Sequence, residues 1–419
     1  MGKSSQHNAT NPNGGLFVRL YMPDEYQSHY KKILDSAVLR DDLEITDVPN
    51  GFVAVDRWRG TFGAYDAARH FVPQSTSYRY TAAHRQKIPR RICLRHASHI
   101  DGTAIYCGKD MSFHFGHFLL EGLTRIWPIL SQQYSGAKLV FAHSDGADVP
   151  EFVTRLLYLA GVCPENVIIA KKSVHCSRLI IPRQSFCIGM YSSPAYGAVL
   201  RRIADNARGG KTYDKIYLSR AKMGDRKTYG EEHIQKIFAR NGYTIIYPET
   251  LSVEEQIYIA AHCTHMAGCA GSALHLAAFM KPGGTVIQLK RNRGSGDNMG
   301  TQHLINKTAG LNFIVIWASV EERPTAHFTP CPQIIGVTEH MRRFFDDAGF
   351  VYDAADIAPD MTARAEYNMA MKQYLARRGS NASRRVRGAL IKICAAFVPI
   401  PPVRRRVRSF LKRALGIVE

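Results

Sequence analysis

The sequence predicts an α/β protein with two Rossmann-like halves. In the second half, short β-branched runs alternate with helical stretches, and this repeat indicates a parallel sheet with right-handed crossovers. The runs are KIYLS (215–219), YTIIY (243–247), HMAG (265–268), TVIQL (285–289) and FIVIW (313–317). The first half is less regular, but TAIYCG, KLVFAH, VIIA and RLIIP predict strands and EFVTRLLYLAG predicts a helix. A chain of 419 residues is long enough for two domains that each bury a core.

The seam between the halves is predicted at 206–214, where NARGGKTYD combines glycines with polar residues. We therefore expect an N-terminal α/β domain at 1–206 and a Rossmann-like domain at 207–335. A helical extension with a basic amphipathic tail is predicted at 336–419. Two such halves facing a cleft would bind a ligand at the carboxyl ends of their strands.

Composition indicates a globular protein of a reducing compartment. Hydrophobic residues make up 45% of the chain, and the nine cysteines are odd in number and form no CxxC pair. The first residues, MGKSSQHNATNPNGG, contain no apolar core of a secretory signal, and no later run of about 18 apolar residues follows. We expect a cytoplasmic protein.

The net charge of +20 is concentrated near the C-terminus, because 13 lysines and arginines and no acidic residue fall at 367–418. Between the basic clusters are the apolar or amphipathic pieces GALIKICAAFVPIPP and VRSFLKRALGIV. This pattern favours the surface of an anionic bilayer. The alternative is a solvated tail that binds any polyanion, nucleic acid included. We expect no nucleic-acid partner, since interleaved aromatics and a known binding module are missing from the sequence.

A glycine loop and two arginines predict a phosphate site. Gly271, Ser272 and Ala273 open a helix directly after the predicted strand that ends at Gly268, and backbone N–H groups at such a helix start attract phosphate. The alternative is a plain N-cap, and the fingerprint GxGxxG is absent. Arg220 and Arg226 follow another strand, where two guanidiniums can clamp a diphosphate. Their alternative is a basic surface loop.

The stretch FHFGHFLLEGLTRIWPIL (113–130) is apolar except for His114, His117, Glu121 and Arg125. His117 and Glu121 are at i and i+4 and His114 is one turn earlier, so one face of a helix can carry all three. Zinc is not expected, because the pattern is not HExxH and a fourth ligand is missing. A clean Asp-x-Asp is also absent, so we expect no metal ion.

The order of these motifs resembles glycosyltransferase family 61. IYLSRAKMGDRKTYGEE is similar to that family's Ser-Arg pair followed by a second arginine, and YPETLSVEEQIYIAAHCTHMAGCAGSALHLAAFMKPGGTVIQL to its Pro-Glu, Gln and glycine-loop region. The stretch at 113–130 is similar to its N-terminal signature. The resemblance covers roughly 105–320. It implies a GT-B fold and an inverting transfer from a nucleotide sugar, often a UDP-sugar, with bacterial members working on capsule or other envelope polysaccharides.

Two positions depart from the family pattern. Gly230 stands where Asn is usual before Glu231, and Cys269-Ala270 replaces the common His of "GxHG". If that histidine contacts the donor in relatives, the contact here is missing or is made by His265 or His275.

The resemblance suggests roles for the polar residues. We expect Glu121 or His117 to be the base that deprotonates the acceptor, with the other orienting it and Arg125 keeping Glu121 ionised. The alternative is that these groups cap or bridge an interdomain surface. Glu249 is expected to bind ribose hydroxyls, unless the Pro248 turn only begins the next helix.

The sequence therefore predicts a metal-independent, peripheral-membrane glycosyltransferase without a cofactor, which extends a surface glycan on a lipid carrier. One alternative is a pyruvyl transferase that modifies polysaccharides. Another is a polyanion- or membrane-binding module in which the histidines at 114 and 117 are structural.

Overall fold

The computed structural model describes residues 16–35, 37–56, 61–79, 81–85, 97–109, 114–143, 148–224, 227–292, 299–321 and 331–377. Arg226 and the predicted basic tail from 378 onwards lie outside these ranges. The strands are β1 Val18–Tyr21, β2 Val38–Leu39, β3 Ile45–Asp56, β4 Thr61–Tyr65, β5 Tyr78–Arg79, β6 Thr81–Arg85, β7 Ser98–Lys109, β8 Lys138–Ala142, β9 Val167–Ala170, β10 Val174–Pro182, β11 Phe186–Cys187, β12 Tyr191–Ser192, β13 Lys215–Leu218, β14 Thr228–Tyr229, β15 Thr244–Ile246, β16 His265–Cys269, β17 Thr285–Lys290, β18 Asn312–Trp317 and β19 Gln333–Ile334.

The α-helices are α1 Asp24–Asp35, α2 Phe115–His117, α3 Glu151–Leu159, α4 Pro194–Asn206, α5 Glu231–Arg240, α6 Val253–His262, α7 Met299–Ala309, α8 Glu339–Ala348 and α9 Ala354–Ile357. A further helix occupies 361–377. In the described part of the chain, no helix is both long and apolar enough to cross a bilayer.

The described residues form two six-stranded sheets, one mainly from each half of the chain. The sheet of the second half, called the second sheet, is parallel throughout, in the order β1-β18-β17-β16-β13-β15. All five strands predicted for this half are present. From β13 the chain passes to β15 on one side and then returns to β16 on the other, so the direction of winding reverses between β13 and β16. Such a switch point opens a crevice at the carboxyl ends of the two strands. β1 also joins this sheet, so a piece of the predicted 1–206 domain lies in the second α/β unit.

The first sheet has the order β4-β3-β10-β7-β8-β9. The four strands predicted from sequence correspond to β7, β8, β9 and β10, which are parallel to their neighbours within this group. β3 and β4 pair antiparallel at one side, so this sheet is mixed and not Rossmann-like throughout. One face of β3 is partly solvated, as antiparallel strands permit. The fold is α/β, as predicted.

One apolar core connects the two sheets. Buried side chains from both of them, such as Ile105 in β7 and Val286 in β17, belong to the same cluster as Leu200 in α4. Helix α4 is well defined at its start, where Ser193 accepts a hydrogen bond from the backbone N–H of Tyr196 and proline occupies the first turn. The Tyr196 hydroxyl then donates to the Leu119 carbonyl at 2.7 Å. These contacts hold the segment at 115–130 against α4.

Candidate functional site

The segment at 115–130 is not the single α-helix that its spacing predicts. It consists of α2, a π-helical turn at Phe118–Gly122 and 3-10 turns at Leu123–Arg125 and Trp127–Leu130. Pro128 lies in the first turn of the last element and cannot donate a backbone hydrogen bond to an α-helix. π-helical turns occur frequently at functional sites. The irregular backbone buries Phe118, Leu119 and Leu120 while Glu121 remains partly accessible.

His117, Glu121 and Arg79 form a hydrogen-bonded cluster that opens to solvent. The Nδ1 of His117 lies 2.6 Å from Glu121 Oε2, and Arg79 Nε donates to Glu121 Oε1 at 2.9 Å. Arg79 Nη2 also pairs with Glu121 Oε2. The side chains of Arg79 and His117 are 33% and 34% exposed and that of Glu121 is 16% exposed, so a ligand can approach the histidine more readily than the carboxylate.

The cluster keeps Glu121 ionised. Burial by itself would raise the pKa of this carboxyl, but the hydrogen bonds from His117 and Arg79 outweigh it, and the pKa lies below its usual value. Because the carboxylate only accepts, the 2.6 Å bond places a proton on His117 Nδ1, and Arg79 Nη2, which lies 3.1 Å from the same nitrogen, then donates to Glu121 and not to the ring. In the neutral ring the basic lone pair is then on Nε2.

Arg125 does not hold Glu121, contrary to the prediction. Its guanidinium is buried and donates to the carbonyls of Pro182 and Thr76, the latter at 2.8 Å. Burial lowers the pKa of Arg125, and its guanidinium carbon Cζ lies over the Tyr106 ring, 5.6 Å from the ring centroid. Two backbone carbonyls of other segments therefore hold Arg125 inside the protein, and Arg79 is the guanidinium beside the Glu121 carboxylate.

The histidine segment touches the predicted phosphate loop. A Cβ on Gly116 would lie 2.9 Å from the Ser272 hydroxyl, so a side chain at this position would require Ser272 to move. His114 caps α2, where its Nδ1 accepts from the Gly116 N–H at 3.1 Å, and its ring meets that of His117 edge to face at 5.2 Å. Gly116 thus brings the two predicted motifs into contact.

Two guanidiniums lie at the glycine loop. Gly271 has a φ of +155°, which residues with a side chain rarely adopt, and a Cβ there would lie 3.3 Å from Arg220 Nη1 and 3.7 Å from Arg291 Nη2. Arg220 follows β13, the loop follows β16 and Arg291 follows β17, so all three occupy carboxyl ends of neighbouring strands. The predicted helix after Gly271 is a 3-10 helix, Ser272–Phe279. Ser272 and Ala273 are its first two residues.

Residues 115–287 match the family model of glycosyltransferase 61. These residues form a glycosyltransferase 61 domain. The match spans about two fifths of the chain and includes His117, Glu121, Arg220 and Gly271. The predicted resemblance to this family is confirmed, and the domain is that of a glycosyltransferase. No curated protein matches the chain.

The glycosyltransferase 61 domain contains a buried histidine behind its glycine loop. His275 lies in the 3-10 helix, and its Nδ1 is 2.9 Å from Gln302 Oε1. The Gln302 amide nitrogen donates to Asn306 and to the Leu274 carbonyl, so its oxygen is the acceptor and His275 Nδ1 carries the proton. Burial lowers the pKa of His275 to about 4, against the opposing effect of its hydrogen bond to Gln302.

His265 is the other histidine predicted to contact the donor. It lies at the amino end of β16, where the Thr264 hydroxyl contacts its ring. Parallel strands place this end opposite the glycine loop. Of the two histidines, His275 is therefore the one beside the site.

Gly230 fits its position for a local reason. It begins α5 with a φ of +82°, and a Cβ would lie 2.1 Å from the Ile335 carbonyl oxygen. Asparagine tolerates positive φ, but the carbonyl leaves no room for its side chain. The next residue, Glu231, is fully buried, which raises its pKa, while the backbone N–H and the charge of Arg220 oppose that rise. Glu231 thereby supports the backbone of Arg220.

The remaining predicted residue, Glu249, is exposed in the 3-10 turn Pro248–Thr250. Gln256 donates to the Pro248 carbonyl at 2.8 Å and holds this turn. Among the described residues, no group of three or more His, Cys, Asp or Glu side chains has an arrangement that could hold a metal ion.

Sequence reasoning missed Arg79 and Arg291. Arg291 follows TVIQLK as Arg220 follows KIYLS, so the same strand-end rule would have found it. For Arg79 the sequence offers no signal, because only the tertiary fold brings β5 to the histidine segment. A cavity of about 490 Å³ lies elsewhere, between β1, α1 and α7, and is lined by residues such as Lys31 and His303.

Proposed function

We propose that the protein is an inverting, metal-independent glycosyltransferase that moves a sugar from a nucleotide sugar, of the UDP-sugar class, to a hydroxyl of a glycan. The observation that carries this proposal is the pair of contacts at the switch point between β13 and β16. Arg220 lies against Gly271, and Ser272 lies against Gly116, the residue before His117. A diphosphate group and a base can thus lie on opposite sides of the same donor sugar.

The cationic side of the site suits a departing nucleotide. Arg220 and Arg291 can donate bidentate hydrogen bonds to a diphosphate, and backbone N–H groups at Gly271 and Ser272 add further donors. In the transition state the negative charge on the leaving phosphate grows, and preorganised donors stabilise it without a metal. Arg226 is proposed as a further donor, and Glu249 as a ligand of the ribose hydroxyls.

The opposite side supplies the base. We assign this role to His117, because Glu121 uses both carboxylate oxygens for Arg79 and His117 and has a lowered pKa. Nε2 of His117 takes the proton of the acceptor hydroxyl as its oxygen forms a bond to the anomeric carbon. The bond from that carbon to the diphosphate oxygen breaks on the far face, and the nucleotide leaves with the electron pair. Glu121 stabilises the imidazolium, and His114 lines the same site.

We further propose a GT-B arrangement of the two α/β units, with the N-terminal unit binding the acceptor. The parallel second sheet and its switch point support this assignment. The acceptor is proposed to be a lipid-linked surface glycan at the cytoplasmic face of the membrane. The basic sequence at 378–419 supports attraction to anionic lipids. The proposal includes neither a cofactor nor nucleic acid.

Calorimetric titration with UDP tests the proposal. The wild-type protein is expected to bind UDP saturably, and Arg220→Ala is expected to weaken binding about 10- to 100-fold. Arg178→Ala, which removes an exposed arginine paired with Asp47, serves as the matched control. Binding of phosphoenolpyruvate without UDP would indicate a pyruvyl transferase instead. Salt-sensitive binding of any polyanion, unaffected by Arg220→Ala, would indicate a binding module.

A further inference from the structure

The helix at 361–377 packs against the described part of the protein through the side that carries Ala363 and Tyr367. Ala363 and Tyr367 are buried, and the Tyr367 hydroxyl donates to Glu321 at 2.5 Å. Arg364 donates to the Val320 carbonyl at 3.1 Å, and Lys227 pairs with Glu366 at 3.1 Å. These contacts fix which side of the helix faces the protein and which side faces outward.

The outward side carries large apolar residues. Met361, Met369 and Leu375 are 71%, 63% and 47% exposed. At 3.6 residues per turn Met361 and Met369 lie on the side opposite Ala363 and Tyr367, and Leu375 lies at the flank of that side, roughly 80° from Tyr367. The residues that share this outward face are Met361, Thr362, Ala365, Asn368, Met369, Lys372, Gln373, Leu375 and Ala376. The face contains no acidic residue, and Lys372 lies near its centre.

We propose that this outward face docks on the surface of an anionic lipid bilayer. The three apolar side chains would insert between lipid head groups, and Lys372 would extend its ammonium group to the phosphates. The inference extends the proposed membrane association from the basic tail to a folded surface. It does not depend on the transferase reaction.

The charge of the chain that follows favours a bilayer over other partners. Residues 378–419 begin directly after the helix and contain eleven basic residues and one acidic residue. A second copy of the chain would bring two strongly cationic segments together, and their repulsion opposes such a dimer. Nucleic acid would match the charge but offers no apolar phase for Met361 and Met369. An anionic bilayer supplies both kinds of interaction.

Vesicle co-sedimentation of the full chain tests the proposal. The variant Met361→Ser/Met369→Ser/Leu375→Ser is expected to bind vesicles of phosphatidylglycerol and phosphatidylcholine about tenfold more weakly than the wild type, since apolar insertion is lost. Val38→Ser/Leu39→Ser removes two other exposed apolar residues, 49% and 41% exposed, and is expected to bind as the wild type does. Equal melting temperatures would show that all three proteins are folded.

A second variant reports insertion directly. Met369→Trp is expected to shift its fluorescence to shorter wavelength when anionic vesicles are added, because the indole leaves water. Unchanged binding of the triple serine variant, or no spectral shift of Met369→Trp, would overturn the proposal. Self-association of the wild type that disappears in the triple variant would also overturn it, in favour of a dimer. Loss of UDP binding affects none of these measurements, so failure of the transferase proposal is distinguishable.

Discussion

His117 Nδ1, at the end of α2, lies 2.6 Å from Oε2 of Glu121 in the π-helical turn that follows. The bond fixes the orientation of the ring and places its proton on Nδ1, so the lone pair of the neutral ring is on Nε2. A regular α-helix also brings residues i and i+4 together, but here Arg79 from β5 completes the carboxylate's partners. The following predictions depend on this cluster and on the contacts around it.

Glu121→Gln is expected to lower kcat for sugar transfer about 100-fold or more, because the imidazolium formed at His117 loses its charged partner. UDP affinity should stay within about twofold of wild type, since the carboxylate does not touch the nucleotide side. Steady-state kinetics and calorimetry measure the two quantities. Glu165→Gln, an exposed carboxylate change elsewhere in the domain, is the control. Near-normal kcat in Glu121→Gln would show that the dyad is structural.

Arg79→Met is expected to move the acid limb of the kcat profile to higher pH. Hydrogen bonds from His117 and Arg79 hold the pKa of Glu121 below its ordinary value of 4.5, so removing Arg79 raises that pKa. Activity that needs the ionised carboxylate is then lost at higher pH than in the wild type. Because the pKa of Glu121 is lower in the folded protein, its interactions with His117 and Arg79 stabilise the fold above pH 4.5. This stabilisation is lost as the pH falls through the lowered pKa. Identical acid limbs in both proteins would contradict this role of Arg79.

Arg291→Ala is expected to weaken UDP binding about 10-fold or more, because a charge-assisted hydrogen bond to the diphosphate is lost. Uridine, which has no phosphate, should show no difference between the variant and the wild type. The comparison is made by calorimetry, with Arg178→Ala as the exposed-arginine control. If uridine and UDP lose affinity equally, Arg291 does not contact the diphosphate.

Gly230→Asn is expected to reduce the free energy of unfolding by about 2–4 kcal/mol, because the new Cβ overlaps the Ile335 carbonyl. Gly242→Asn is the matched control, since Gly242 has a φ of +84° but no atom within 4 Å of its Cβ position. Backbone strain alone should cost the control about 1–2 kcal/mol or less. Chemical denaturation measures both values. Equal losses in the two variants would show that φ, and not the Ile335 carbonyl, selects glycine at 230.

His275→Asn is expected to make stability less sensitive to acid. Burial lowers the pKa of His275 from 6.5 to about 4. Between these pH values the histidine binds a proton in the unfolded chain but stays neutral in the folded protein. The free energy of unfolding therefore falls by up to about 1.4 kcal/mol per pH unit between these values, and the variant lacks this term. Denaturation between pH 7 and pH 4 tests this, with exposed His70→Asn as the control. A slope unchanged by His275→Asn would contradict the assignment.

Several site elements are predictable because they follow local rules. β-branched runs with helices between them predict the parallel strands, and a residue directly after such a strand must lie at its carboxyl end. Arg220 and Gly271 are found together for this reason. The i, i+4 spacing of His117 and Glu121 brings them together on any helical turn, so the prediction survives the irregular backbone.

Other elements have no local signal. The pairing of β3 and β4 beside β10, the return of β1 to the second sheet and the arrival of Arg79 at Glu121 all join residues far apart in sequence. The direction of Arg125 also depends on its surroundings, since two backbone carbonyls from other segments accept its hydrogen bonds.

The sequence by itself determined the α/β class, the strand ends that carry Arg220 and Gly271, and the family to which the domain belongs. Periodicity and turn chemistry act over a few residues, so these features can be read along the chain. Only the tertiary structure decided which guanidinium partners Glu121, and that Gly116 meets Ser272. Those contacts result from packing between distant segments, whose energy no short stretch of sequence contains.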